Sequence, residues 1–245
     1  MASMLVLSLF ALVLGVDFVA SNDCCVADQF NVGFAGTKTK IIDSRKISFE
    51  PISDPSHNRR VRFQGEAAID HIGHRYAANV SWYDYRQKTW GSIRFIKLIN
   101  ESTSYVIKDS KCFKKPACQR EPPSCVPDDA YLDETMFIGE NSLQLNTWRM
   151  RIGKQRPVHG DLRFATTQEN CIPVFSSLIG RRKMNTTGEY ARFEVDGVFF
   201  NYTEALSPSS FVIPDICHNA TLTIKDKAFG LLEEWHTFQE GMVFL

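Results

Sequence analysis

The stretch from Glu189 to Cys217, EYARFEVDGVFFNYTEALSPSSFVIPDIC, limits the possible folds more than any other. Phe193, Val195 and Phe199 fall on odd positions with Gly197 between them, while Arg192, Glu194 and Asp196 fall on even ones. A period of two belongs to a strand with one buried and one wet face. Asp196-Gly197 permits a bend or bulge there, because glycine accepts positive φ. Pro208 and Pro214 follow, and proline has no N–H for a central ladder. The stretch ends at Cys217, which can be stapled. A long strand, a proline-rich exit and a cysteine describe a β-sheet protein of the secretory pathway and contain no catalytic motif.

The N-terminus supports that compartment. Met4 to Val16 is an unbroken apolar run of signal-peptide length, and small residues lie near Ala20 and Ser21. Residues 1–21 are therefore read as a signal peptide and 22–245 as a single β domain. No later stretch reaches the ~18 apolar residues of a membrane span, so no integral span is expected. Seven cysteines follow the signal, and in an oxidising compartment disulfides are the default. Cys24 and Cys25 are adjacent, and a peptide unit holds their Cα atoms about 3.8 Å apart, so a bond between them is strained. Cys118 and Cys125 are spaced to close a small loop. Five sequons, at Asn79, Asn100, Asn185, Asn201 and Asn219, point to a secreted glycoprotein. With 28 basic and 28 acidic residues there is no charge excess to hold nucleic acid or an anionic membrane.

Along the chain, Phe30, Val32 and Phe34 alternate as a first strand, and Ile41 to Phe49 suits a second. From Arg60 to Lys108 the apolar positions alternate in runs separated by polar turns, the pattern of an antiparallel meander in a sandwich or open barrel. Trp90 to Ile99 is apolar on both faces, so something covers both sides or a bulge shifts its phase. Residues 109–129, with four prolines and three cysteines, read as a stapled excursion without regular structure. The acidic cluster beyond it reads as a loop. A phase change at Asn146-Thr147 suggests a bulge. Phe229, Leu232 and Trp235 recur at helical spacing, which predicts a C-terminal helix over 226–239.

Little of this carries chemistry. The nucleophile elbow, the metalloprotease helix and the phosphate-binding loop are all missing from the sequence. Asp70, His71 and His74 form the one suggestive cluster for a transition metal, and a metal-dependent hydrolase reading rests on it alone. Asp128, Asp129, Asp133 and Glu134 are candidate oxygen ligands for calcium, although the spacing matches no EF-hand loop. The remaining functional material is aromatic. Trp82, Trp90, Phe95, Trp148, Phe193 and Phe199 lie on predicted inward faces, where they fill a core or line a cleft for an apolar ligand.

KDSKC at 108–112, FIGENSLQLNTW at 137–148, ENCIPV at 169–174 and FFNYTEALSPSSFVIPDIC at 199–217, with the N-terminal cysteine pair, resemble the ependymin-related proteins. The resemblance covers roughly Cys24 to Asn219 and is that of an invertebrate-type member. It implies two stacked, curved antiparallel sheets, an open sandwich or half-barrel similar to bacterial lipoprotein carriers, with the helix following. It implies secretion, N-glycosylation, calcium association, a homodimer and a hydrophobic cleft for lipids, here built from Trp82, Phe95, Trp148, Phe193 and Phe199. It also implies a Cys112–Cys217 bridge and a bridge from Cys25, or Cys24, to Cys171, which leaves Cys118 and Cys125 for each other. The expected function is non-catalytic binding of lipids or other apolar molecules. The alternative is an extracellular matrix or adhesion glycoprotein acting through glycans, calcium and self-association.

Overall fold

The computed structural model describes residues 24–42, 58–117, 124–140, 142–152, 158–183 and 190–220. The expected signal segment, Cys118, the Asn185 sequon and the expected helix over 226–239 lie outside them. The described residues form eleven strands: β1 (Gln29–Ile42), β2 (Asn58–Asp70), β3 (Arg75–Asp84), β4 (Thr89–Leu98), β5 (Thr103–Lys108), β6 (Lys111–Pro116), β7 (Tyr131–Ile138), β8 (Leu143–Ile152), β9 (Val158–Thr167), β10 (Pro173–Lys183) and β11 (Tyr190–Thr203). They make one sheet in the order β6-β5-β4-β3-β2-β1-β11-β10-β9-β8-β7. All neighbours are antiparallel. Two meanders, β1–β6 and β7–β11, are therefore joined along β1 and β11. Where two stacked sheets were expected there is one continuous sheet, because the first and last strands pair from Asn31–Thr203 to Ile42–Ala191.

Several local expectations change. Lys111–Pro116, read as irregular, is a strand paired with β5. The acidic loop is the edge strand β7. Ile41 and Ile42 continue β1, and residues 43–49 of the expected second strand lie outside the described residues. The bulge expected at Asn146-Thr147 is not on β8, which keeps continuous register with β9; the irregularity there lies on its neighbour β7, where Asp133 is extra between Leu132 and Glu134 opposite Trp148 and Thr147. The phase change of β8 arises because Leu145 and Thr147 on one face are buried as fully as Trp148, Met150 and Ile152 on the other.

The main core lies on what we call the inner face, from Phe30, Val32 and Phe34 of β1 outward to Phe95 of β4 and Trp148 of β8. A second cluster lies on the outer face: Ala68, Ala77, Ile96 and Tyr105 pack with Phe211 and Cys217. Beyond β11 the chain crosses that face through two 3-10 turns, Pro208–Phe211 and Asp215–Cys217, and is bolted down by Cys112–Cys217. This crossing segment answers the puzzle of β4: Ile93 and Phe95 face the main core, while Ile96 and Leu98 face Phe211. Burying the Phe211 ring is worth about 1.5–3 kcal/mol.

The other two bridges tie the entry of β1 to the β7–β11 wing. Val26 N–H donates to the Ser124 carbonyl and Val126 N–H to the Cys24 carbonyl, both at 2.8 Å. That pairing sets Cys25 opposite Cys125, and the two are bonded. Cys125 is thus taken, and the expected Cys118–Cys125 loop does not close. Cys24, its neighbour, bonds Cys171 in the β9–β10 turn. Val126 and Ala130, in the segment that the Cys25–Cys125 bridge holds before β7, join the main core on the inner face.

Rings pack close against glycines in the middle of the sheet. A Cβ on Gly65 would stand 2.6 Å from Phe34 Cζ, and one on Gly36 would meet the Phe63 ring and the Asp196 carbonyl oxygen. Gly36→Ala is therefore expected to cost about 2–3 kcal/mol, read as a lower urea midpoint; an unchanged midpoint would mean that the β1–β11 ladder gives way freely.

Two buried carboxylates close the hairpins. Asp84 accepts from the Arg59 Nε at 2.7 Å and from the N–H groups of Arg86 and Gln87. Asp70 accepts from Gln29, Gly73 N–H and Arg75. Burial pushes both carboxyls up, but these donors together outweigh it and hold both below the ordinary aspartate value. A depressed folded pKa stabilises the fold above the unfolded value of about 3.9, and that contribution fades as pH falls through the folded value. The Asp70→Asn, Asp84→Asn variant should be clearly less stable than the parent at pH 7, by urea unfolding. The gap should narrow near pH 3; a gap of constant size would assign the loss to packing.

Candidate ligand-binding face

Trp82, Phe95, Trp148, Phe193 and Phe199 all lie on the inner face, in or against the main core. The alternation of β3, β4, β8 and β11 puts them there. They divide by environment. Phe95, Trp148 and Phe193 are buried, whereas Trp82 and Phe199 are only half-buried. Trp148 is also anchored: its Nε1–H donates to Thr166 Oγ1 at 3.0 Å, beside the Cys24–Cys171 bridge. It is a post of the core. Trp82 lies over Gly91, where any Cβ would strike its ring, and the Lys108 Nζ sits 5.9 Å from the ring centroid. Trp90, expected inward, points the other way. It is 72% exposed and packs on Tyr83 of the outer face at 5.0 Å, because even positions of β4 face outward.

Two further half-buried aromatics border the same core and were not singled out from sequence, Phe113 and Tyr202. Phe113 lies in the proline- and cysteine-rich stretch, whose composition hid its strand. Tyr202 follows a register shift opposite Asn31 and Gly33, and Asn201 there has φ of 51°, so simple alternation fails. Tyr202 packs on Phe30 at 5.3 Å, and burial pushes its phenol up, so it stays neutral at physiological pH. The inner face also holds a buried lysine, Lys97, its Nζ 5.7 Å from the Tyr76 ring. The arrangement can offer aromatic and aliphatic contact at its margin, with cations near Trp82 and Tyr76.

The metal candidates are not brought together. Asp128, Asp129, Asp133 and Glu134 are all exposed, the first two in a turn and the others on β7. Asp70 is saturated by its hairpin donors, and His71 Nδ1 shares a hydrogen bond of 3.2 Å with the Tyr76 hydroxyl. Among the described residues no three His, Cys, Asp or Glu side chains form a metal-binding group. Among them, too, no helix is long and apolar enough to cross a membrane. The sequon residues Asn79, Asn100, Asn201 and Asn219 are exposed. Asn79 and Asn201 line a common recess on the outer face.

Among solved structures, an uncharacterized conserved protein from Thermus thermophilus aligns over 88% of this chain and 98% of its own, with 8% identity and a TM-score of 0.39. The LolA superfamily protein NE2245 from Nitrosomonas europaea aligns over 80% of this chain and 95% of its own, with 10% identity and a TM-score of 0.30. No curated protein matches the chain. The family model described as Ependymin matches residues 87–217, more than half of the chain and all of the sheet from the β3–β4 turn to the Cys217 bolt. The chain belongs to the ependymin family.

Proposed function

We propose that this chain is a secreted glycoprotein that binds lipids or other apolar molecules on the inner face of its sheet, without catalysis. One observation carries the reading. The apolar inner face is sealed at its centre, at Phe30, Phe34 and Leu162, but is lined at its margin by the half-buried Trp82, Phe113, Phe199 and Tyr202. Large apolar side chains left partly exposed beside a core are where a guest gains most from leaving water. Three disulfides and five sequons fit an extracellular carrier. Trp82→Ala should raise the Kd for a fluorescent fatty acid about tenfold, a loss of about 1.4 kcal/mol, with little change in stability. Trp148→Ala should instead destabilise the fold by about 3–5 kcal/mol. Protein that binds no fluorescent fatty acid, and shows no co-purified lipid by native mass spectrometry, excludes the carrier reading.

The edge strand favours a second reading, self-association of an adhesive or matrix type. Both faces of β7 are wet, and Tyr131, Leu132, Phe137 and Ile138 are each about half exposed. Among the described residues β7 has a neighbour on one side alone; an apolar edge of this kind is a ready template for another chain, and a homodimer is the simplest closed product. Calcium enters this reading as an ion bound weakly by the exposed carboxylates of 128–134. Leu132→Lys with Phe137→Lys should shift sedimentation from dimer to monomer. A parent protein that is monomeric at micromolar concentration, with and without millimolar calcium, removes this reading.

A further inference from the structure

The outer face holds a recess that the apolar-ligand reading does not use. It lies between the sheet and the crossing segment, with a volume of about 290 Å³. Gly33, Ala68 and Ala77 line it with almost no side chain. Its polar lining includes amides and hydroxyls, from Asn79, Asn201, Thr203, Ser207 and Ser210, with the carboxylate of Glu66. Two of these, Asn79 and Asn201, are sequon asparagines from opposite halves of the chain.

We propose that this recess seats the innermost sugars of the oligosaccharide on Asn79, so that the glycan is a built-in ligand wedged between the sheet and the crossing segment. The proposal rests on the reading of the chain as a glycosylated secreted protein and adds to it a defined sugar-binding site.

Four observations converge. The first is direction: Ala78 and Val80 face the inner core, so Asn79 between them stands out from the outer face, and it is exposed. The second is position. Arg94 is the cross-strand partner of Asn79, and its Nη2 donates to the carbonyls of Ser209, Ser210 and Val212 at 3.1–3.2 Å. The segment is therefore pinned beside the sugar attachment point. N-glycans are added as the chain enters the secretory lumen, so a sugar on Asn79 is in place before residues 204–217 arrive. The crossing segment must close around it.

The third is size. Protein interiors pack to crystal density, and a layered contact with no guest closes its gaps with larger side chains. Here two of the lining residues, Ala68 and Ala77, are the small members of the buried cluster that Ile96 and Phe211 otherwise fill, and the recess opens where they stand. The fourth is chemistry. Amide, hydroxyl and carboxylate groups match the hydroxyl and acetamido groups of a sugar better than an acyl chain, with the Thr203 and Ser207 hydroxyls already turned to Ala205 and Ser209. The Phe200 ring, 44% exposed, packs over Gly33, one of the lining residues. Asn201 differs from Asn79: it sits at the end of β11 with positive φ and marks the rim of the recess.

The test uses the full chain secreted from a glycosylating host, with peptide mass mapping of each site and an endoglycosidase that cuts between the two innermost N-acetylglucosamines. In the folded protein the Asn79 glycan should be cut at least tenfold more slowly than the Asn100 glycan, which sits on an exposed turn, and the two rates should match after unfolding. Ser81→Ala, which removes the sugar and keeps Asn79, should lower Tm by about 2–4 °C. Ser81→Thr should restore the sugar and the Tm, and Asn100→Gln should leave Tm unchanged. An occupied Asn79 cut as fast as Asn100, or a Tm indifferent to Ser81→Ala, overturns the seat while leaving the glycoprotein reading intact. An unmodified Asn79 beside a glycosylated Asn100 overturns the seat at its root, and bare asparagines at every sequon bring down the glycoprotein reading with it.

Discussion

The ladder between β1 and β11 is the interaction on which the other features depend. It joins residues roughly 150–170 positions apart, from Asn31–Thr203 to Ile42–Ala191, and it turns two local meanders into one sheet. Every other neighbouring pair in the sheet joins strands consecutive in the chain, whereas this pair must wait for nearly the whole chain. Loop closure on that scale is entropically costly, and long-range pairing of this kind slows folding. The close approach at Gly36, where the Asp196 carbonyl leaves no room for a side chain, shows how tightly the ladder is drawn.

The disulfides act on the same problem from both sides. Cys24 and Cys25 immediately precede β1, and through Cys171 and Cys125 they tie its entry to the turn before β10 and to the segment before β7. Cys112–Cys217 ties the exit of β11 to the opposite edge strand, β6. Each closes a loop of 100 residues or more, the range in which a cross-link removes most entropy from the unfolded chain, about 4–5 kcal/mol in the chain-entropy account. Adjacent cysteines that look redundant in sequence thus serve different anchors.

Period-two patterns were legible because one face of most strands is buried, and they located β1, β3, β4 and β11 with nearly correct faces. The pattern failed where burial is symmetrical or absent. On β7 both faces are wet, so YLDETMFI read as an acidic loop. On β8 both faces are covered, so a continuous strand read as two phases with a bulge. The identity of the partner of Cys125 was not legible, because it depends on two backbone hydrogen bonds between segments 100 residues apart. The single sheet was not legible either. Nothing in the residues of β1 and β11 states that they pair with each other instead of with strands nearer in sequence.

The candidate binding residues illustrate the same limit at the level of single side chains. Trp82 and Trp148 look equivalent in sequence: each is a large ring on the inward phase of an alternating strand. Trp148 has a buried hydroxyl within reach of its indole N–H and lies beside a disulfide, so its polar atom is satisfied and its ring is walled in. Trp82 has a glycine beneath it and a lysine beside it, so its ring meets the chain on one side and stays partly open on the other. What separates a core post from a ligand platform is therefore the company each ring keeps across strands, set by the registers of β3–β4 and β8–β9. The β3–β4 register follows from the turn that Asp84 closes with its donors, and that of β8–β9 runs unbroken from Leu145–Thr167 to Ile152–Gly160, whatever ring a position carries.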